Sequence, residues 1–213
     1  MRLPQDWRRA RLTLAIAALT AAAWPIGNLL LTASDLAFVG GFIPARVGGH
    51  PNDPLPLPVW ITPLTATFIH AGFLHLAFNL LIHLFCGRTV EAIVGARGLI
   101  LLYVAGAFAA AAGQYAAGPD EVMPMIGASG AVSAEIGAYA LLFGRTRAKI
   151  ADPRLAVLVH ALWLAAAWVV MQLMVGYAFN VPGAQIAWAA HIGGFLAGLM
   201  LAKPLLLLRW RGA

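Results

Sequence analysis

Ser129, His191, His75 and Asn79 are the side chains of this sequence best suited to chemistry, and all four lie in stretches otherwise made of apolar or small residues. Ser129 belongs to Gly-Ala-Ser-Gly at 127–130, just ahead of an apolar run that also carries Ser133 and Glu135. A serine hydroxyl becomes a useful nucleophile when a base accepts its proton. An imidazole such as His191 does this near neutral pH. Attack on a carbonyl leaves an oxyanion, which preorganised donors stabilise. His75 and Asn79 are candidates for those donors, together with backbone N–H groups where a helix starts near Ser129. The helix N-terminus also favours the developing negative charge. No Asp or Glu lies in the apolar run around His191, so the pattern predicts a dyad rather than a triad.

The elements that position these residues are membrane helices. Hydrophobic residues make up 62% of the 213 and charged ones only 10%, against roughly 25% charged in a soluble domain. Mean hydropathy is +0.83. A soluble fold of this size has too little interior for so much apolar surface. The fold class is therefore an all-α polytopic membrane protein, one membrane domain over 1–213. Six stretches are predicted to span, at about 12–31, 65–86, 98–117, 127–144, 155–176 and 188–208, each close to the ~20 residues a bilayer core requires. The single cysteine, Cys86, excludes an internal disulfide framework and a cysteine-rich metal site.

The net charge of +6 is a topology signal rather than a nucleic-acid patch, because the basic residues fall in short groups between apolar runs. Arg2, Arg8, Arg9 and Arg11 precede the first span. Arg88 and Arg97 follow the second, Arg145, Arg147, Lys149 and Arg154 follow the fourth, and Lys203, Arg209 and Arg211 end the sixth. Only Arg46 falls on the other side. This predicts an integral, multi-pass protein with both termini cytoplasmic, in the inner membrane if the chain is bacterial. The N-terminal run also has the basic start and apolar middle of a signal peptide. Its length favours a retained span, since removal would leave five spans and the next loop on the wrong side.

Depth follows from counting back to the basic ends. Ser129 lies sixteen residues before Arg145, about 24 Å along a helix; His191 lies about 27 Å before Arg209 and His75 about 20 Å before Arg88. The three are predicted in one layer near the outer face, on three helices. His75, Asn79 and His83 form one stripe on the second span, and Ser129, Ser133 and Gly137 another on the fourth. His191, Gly194 and Gly198 line the sixth, where glycine lets a neighbouring backbone approach closely. The fourth and sixth helices are therefore expected to touch, with Ser129 within reach of His191. The outer loop at 33–64 is long and rich in Pro and Gly, yet carries Leu, Phe, Ile and Trp, and is expected to lie partly in the interface.

The motifs match a family. His70, His75 and Asn79 at H-x4-H-x3-N, then Gly-Ala-Ser-Gly at 127–130, then Ala-His-Ile-Gly-Gly-Phe-Leu-Ala-Gly at 190–198, resemble the rhomboid intramembrane serine proteases over about residues 60–200. The resemblance implies a six-helix rhomboid-like bundle with Ser129 as nucleophile and His191 as its base. It implies an oxyanion hole from His75, Asn79 and the Ser129 amide. Gly127 resembles the glycine that opens the active-site loop, with Gly130, Gly194, Gly198 and Ser133 in support. His70 matches a mainly structural histidine, and Glu91 a polar residue that helps fix the inner end. Trp60 and Thr65 fall where the first outer loop returns to the core. The implied partners are the lipid bilayer and single-span membrane proteins, cut near the outer face at small residues. No cofactor, metal or nucleic acid is implied. Three features depart from the family. Ser133 stands where an aromatic usually packs on the catalytic histidine, so either another aromatic or a Ser133 hydrogen bond must hold the His191 ring. Ile61 stands where many relatives have Arg, and Glu135 has no counterpart.

Blander readings stand beside this one. Serines in membrane helices usually bond to their own backbone or join helices, and Ser133 fits that use. His70, His83 and His160 read as structural. Glu135 is either a neutral, hydrogen-bonded acid inside the bundle or faces a water pocket. A metalloprotease would want H-E-x-x-H, which does not occur. A transporter or channel would use His75, Asn79, His83, Glu135 and His191 as a polar relay, but no inverted repeat is visible. A catalytically silent relative that only binds membrane helices would be expected to lack the serine or the histidine.

Overall fold

The computed structural model describes residues 10–49, 57–144, 150–178 and 187–210. Among them extended pairing is limited to one antiparallel bridge, Phe42 with Met125; the rest of the regular structure is helical. The helices are α1 (Arg11–Leu30), α2 (Ala33–Gly40), α3 (Thr62–Thr65), α4 (Phe73–Ile82), α5 (Arg88–Ala117), α6 (Ser129–Phe143), α7 (Pro153–Ala178) and α8 (Trp188–Trp210). Arg2, Arg8, Arg9, Arg145, Arg147, Lys149 and Arg211, which the orientation reading used, lie outside the described residues, as does most of the 177–187 loop.

Among the described residues four segments are long and apolar enough to cross a bilayer: Arg11–Leu30, Phe73–Ala117, Pro153–Ala178 and Trp188–Trp210. The second, 45 residues long, joins α4 to α5 through a π-helical turn at His83–Gly87 and breaks at Gly95, whose φ of 76° and ψ of 170° are not helical. Glycine accepts that left-handed φ without a Cβ penalty. Helix α6 is apolar but only 15 residues long. A helix begins at Phe73, eight residues later than the span predicted from 65. Residues 62–68 instead form α3 and a 3-10 turn, and extended Gly72 precedes α4. His70 thus sits in the approach to the helix, not on it.

Helix α6 packs against both α5 and α8, which also pack on each other, and buries Gly130 through Glu135, Gly137 and Ala138. Small residues let the three backbones close in. A Cβ on Gly106 would come 2.6 Å from the Ala134 Cβ. One on Gly194 would overlap the Gly130 carbonyl, one on Gly198 the Ala134 carbonyl, and one on Gly137 the Phe195 carbonyl. Val90, Val94, Leu99, Leu102, Ala138 and Leu205 complete the core around them. Overpacking costs about 1–3 kcal/mol, and here the obstacle is backbone rather than a side chain that can swing away. Gly198→Val is therefore expected to lower the thermal midpoint in mild detergent. Gly118→Ala, whose new Cβ would meet only the Glu121 Cβ at 3.6 Å, should leave it unchanged.

One end of the bundle is tied by Glu91. Helix α1 has no side-chain cap of its own. The Glu91 carboxylate accepts from Leu12 N (3.0 Å), Thr13 N (2.8 Å) and the Thr13 hydroxyl (2.7 Å), satisfying orphan donors and complementing the helix dipole. Arg209 of α8 donates to the Ala92 carbonyl at 2.6 Å at the same end. At the other end the outer loop folds back on the bundle. Phe42 and Met125 exchange backbone hydrogen bonds, Ala45 N donates to the Glu121 carbonyl, and the Thr65 hydroxyl donates to the Gly40 carbonyl at 2.6 Å.

Helix α7 is the exception to close packing. Of its 26 residues only Gln172 is buried, and Leu158, Leu162, Trp163, Val170 and Met174 face outward. In water such a helix would not hold this position; against lipid its apolar faces cost nothing.

Candidate active site

The site forms where α6 begins. Gly127 turns the chain with a φ of 107°, and its N–H donates to the Ala66 carbonyl at 2.9 Å. The next amide, Ala128 N, points at His70 Nε2 at 3.4 Å. Ser129 then opens α6, so its own N–H has no intrahelical acceptor. Its Oγ lies 2.9 Å from Nε2 of His191, on the first turn of α8. That is the separation proton transfer requires. Both side chains are only partly buried.

His75, in the first turn of α4, packs its ring on Gly127. A Cβ there would lie 2.7 Å from His75 Nε2 and 3.7 Å from Ser129 Oγ. Gly127 is thus required twice, by its φ and by its lack of a side chain, and His75 Nε2 and Ser129 Oγ both border the space it leaves. The His70 and His75 rings meet edge to face with centroids 5.0 Å apart. Asn79 is buried one turn further along α4. Its Nδ2 donates to the His75 carbonyl at 2.8 Å, and its Oδ1 is buried without a partner. Among the described residues no hydrogen bond joins Asn79 to Ser129.

Ser133 does not hold the His191 ring. Its hydroxyl donates to the Ser129 carbonyl one turn back, at 2.7 Å. The ring is held from α7 instead. Gln172 Oε1 lies 3.0 Å from His191 Nδ1. One turn earlier on the same face, the Trp168 indole N–H donates to the His191 carbonyl at 3.1 Å and the indole stacks on Phe195, centroids 4.5 Å apart and planes 7° apart. Gln172 is a polar residue in an otherwise apolar run, and the sequence names no partner for it. The available signal was its period of four with Trp168, which puts both on one face.

The remaining polar side chains gather elsewhere. Glu135 pairs with His83, whose other ring nitrogen meets the Thr13 carbonyl. His160 lies by Gly144, away from Ser129. Among the described residues no group of three or more His, Cys, Asp or Glu is arranged to hold a metal ion.

The serine is thus bonded to a histidine across two helices, next to a glycine turn and a second histidine. A family model described as the rhomboid domain matches residues 58–208. The chain belongs to the rhomboid family. It is 33% identical to the rhomboid protease GlpG of Serratia proteamaculans over 137 residues, covering 63% of this chain and 44% of that protein. It is 29% identical to rhomboid-type serine protease 2 of Emericella nidulans over 186 residues, 84% of this chain and 34% of that one. Against rhomboid-related protein 3 of Homo sapiens it is 38% identical over 90 residues, 42% of this chain and 21% of that one. The chain thus spans less than half the length of each of these relatives. Family and apolar helices together make this rhomboid an integral, multi-pass membrane protein.

Proposed function

We propose that this rhomboid is an intramembrane serine endopeptidase that cleaves single-span membrane proteins near the outer face of the bilayer. The observation that carries the reading is the 2.9 Å contact between Ser129 Oγ and His191 Nε2. A substrate helix reaches the site laterally between α4 and α7 and unwinds there. The loosely packed α7 favours that route. His191 Nε2 takes the Ser129 proton as Oγ attacks the substrate carbonyl. The Ser129 amide, the His75 ring and the free N–H of the Asn79 amide stabilise the oxyanion. His191 returns the proton to the leaving amine, and water hydrolyses the Ser129 ester. Six crossings, counting α6 and both limbs of the segment broken at Gly95, would put both termini on one side, and the distribution of Lys and Arg supports that side being the cytoplasmic one.

The polar-relay reading asks for one connected chain of titratable groups. Here His83 and Glu135 bond to each other and to α1, and His191 bonds to Ser129 and Gln172. Among the described residues the two sets share no hydrogen bond. The silent-binder reading is disfavoured because serine and histidine are both present and in contact.

Purified protein in liposomes should cut a single-span test substrate, unaffected by a chelator. A serine-directed phosphonate should label it, and peptide mass mapping should place the label on Ser129. An unlabelled, uncleaving preparation that instead moves protons across the liposome would replace this reading with the relay. Loss of cleavage on chelation would point to a metal.

A further inference from the structure

The geometry points to Gln172 as a positioning residue that sets the tautomer of His191 from α7; this rests on the proposed proteolytic reading. Gln172 is the only buried residue of α7, and apart from half-buried neighbours such as Trp168 its helix turns its large apolar side chains outward. A buried amide costs stability unless it is hydrogen-bonded, and Leu or Met would fill this position without that cost. The amide has a partner, His191 Nδ1, 3.0 Å from Oε1. An amide oxygen only accepts, so Nδ1 must carry the proton. A neutral imidazole has one N–H, so Nε2 then presents its lone pair, and Nε2 is the atom 2.9 Å from Ser129 Oγ. The bond from α7 therefore selects the tautomer that can act as base. Trp168 fixes the same residue by its backbone carbonyl, so α7 holds His191 at two points.

The choice of an amide over a carboxylate also has a physical reason. A permanent anion at this depth would have to be desolvated throughout the cycle, whereas His191 is cationic only in passing. A neutral acceptor orients the ring without that standing cost. It also replaces the packing that an aromatic at position 133 would otherwise supply.

The test compares Gln172→Met, close in shape but without an acceptor, with Gln172→Glu, which keeps one. Each is assayed for kcat and KM on the single-span substrate, for thermal midpoint, and by 15N NMR of the His191 ring, assigned with His191→Ala. Gln172→Met should lower kcat about 10- to 100-fold, less than the roughly 10⁴-fold loss when a carboxylate partner of a catalytic histidine is removed, because a neutral amide orients the ring without stabilising its cation as strongly. KM should stay within about twofold, and the ring should shift from the Nδ1–H form to a mixture. Gln172→Glu should restore most of kcat and the Nδ1–H form. A Met variant that keeps the wild-type kcat or the wild-type tautomer overturns the proposal, as does one that changes only KM or thermal midpoint. If Gln172→Met does not assemble, the Glu variant decides. A folded Gln172→Glu protein with the wrong tautomer overturns it. Should wild-type protein show no Ser129-dependent turnover, the proteolytic reading falls, while the tautomer comparison still tests the role of Gln172.

Discussion

Ser129→Ala and His191→Ala are each expected to reduce cleavage by about 10⁴- to 10⁶-fold, and the double variant to be no slower than either single one. Nucleophile and base act as a unit, so the first deletion removes nearly all that the second could. Ser129→Ala deletes one oxygen from a partly buried position and leaves the Gln172 and Trp168 contacts to His191 in place. Its thermal midpoint should match wild type, which separates lost chemistry from lost fold. His191→Ala also strands Gln172, a buried amide, and should be measurably less stable. Residual cleavage in both variants, above background and, unlike that of the wild type, insensitive to the phosphonate, would come from binding and oxyanion donors alone. The readout is single-turnover cleavage of one substrate at saturating enzyme, with product masses to confirm the same cut. Effects that multiplied in the double variant would mean that serine and histidine work independently, and the dyad would have to be given up.

Apolar content and the fixed rise of a helix made the layer legible: counting back from basic ends put Ser129, His75 and His191 at one depth. The glycines at 194 and 198 pointed to the face of α8 that meets α6, because a missing Cβ is the mark of a close backbone. The family followed from the three motifs in order. Other features were hidden for physical reasons. Apolar residues continue on both sides of Gly72 through 65–86, so hydropathy gave no sign that helix begins only at Phe73, after His70 has left the helical path. The π-turn at His83–Gly87 and the break at Gly95 are backbone events that leave no trace in hydrophobic period. Helix α7 is apolar around nearly its whole circumference, so apart from Gln172 and its period of four with Trp168 nothing in its pattern marked the inward face, and no residue type named His191 as the partner of Gln172. Glu135 was recognisable as costly, but its partner sits 52 positions away on another helix, and that pairing is a product of tertiary structure.

That pairing carries the second large effect, on stability. Glu135 is fully buried, and both its oxygens lie about the same distance from His83 Nδ1, 2.9 and 3.0 Å. His83 Nε2 must donate to the Thr13 carbonyl at 3.1 Å, so the contact between Nδ1 and Glu135 holds one proton shared by the two groups. Gly87 makes room for them: a Cβ there would sit 3.0 Å from Glu135 Oε2 and 3.1 Å from His83 Nδ1. Removing His83 leaves Glu135 in a low-dielectric interior with nothing to bond, and removing Glu135 leaves His83 Nδ1 unpartnered while Nε2 keeps the Thr13 carbonyl. His83→Leu or Glu135→Leu alone should therefore cost about 3–5 kcal/mol. Replacing both by apolar residues of similar volume removes the stranded group as well as the pair, and should recover most of that loss. In a double-mutant cycle the two changes would then be strongly non-additive, the double variant being more stable than either single one. Equilibrium unfolding in mixed detergent micelles measures this. Two nearly neutral single variants would mean that water reaches the pair and the site is not a sealed one. Two costly variants whose losses simply add would mean that each side chain is held by its own neighbours, and that the contact between them contributes little.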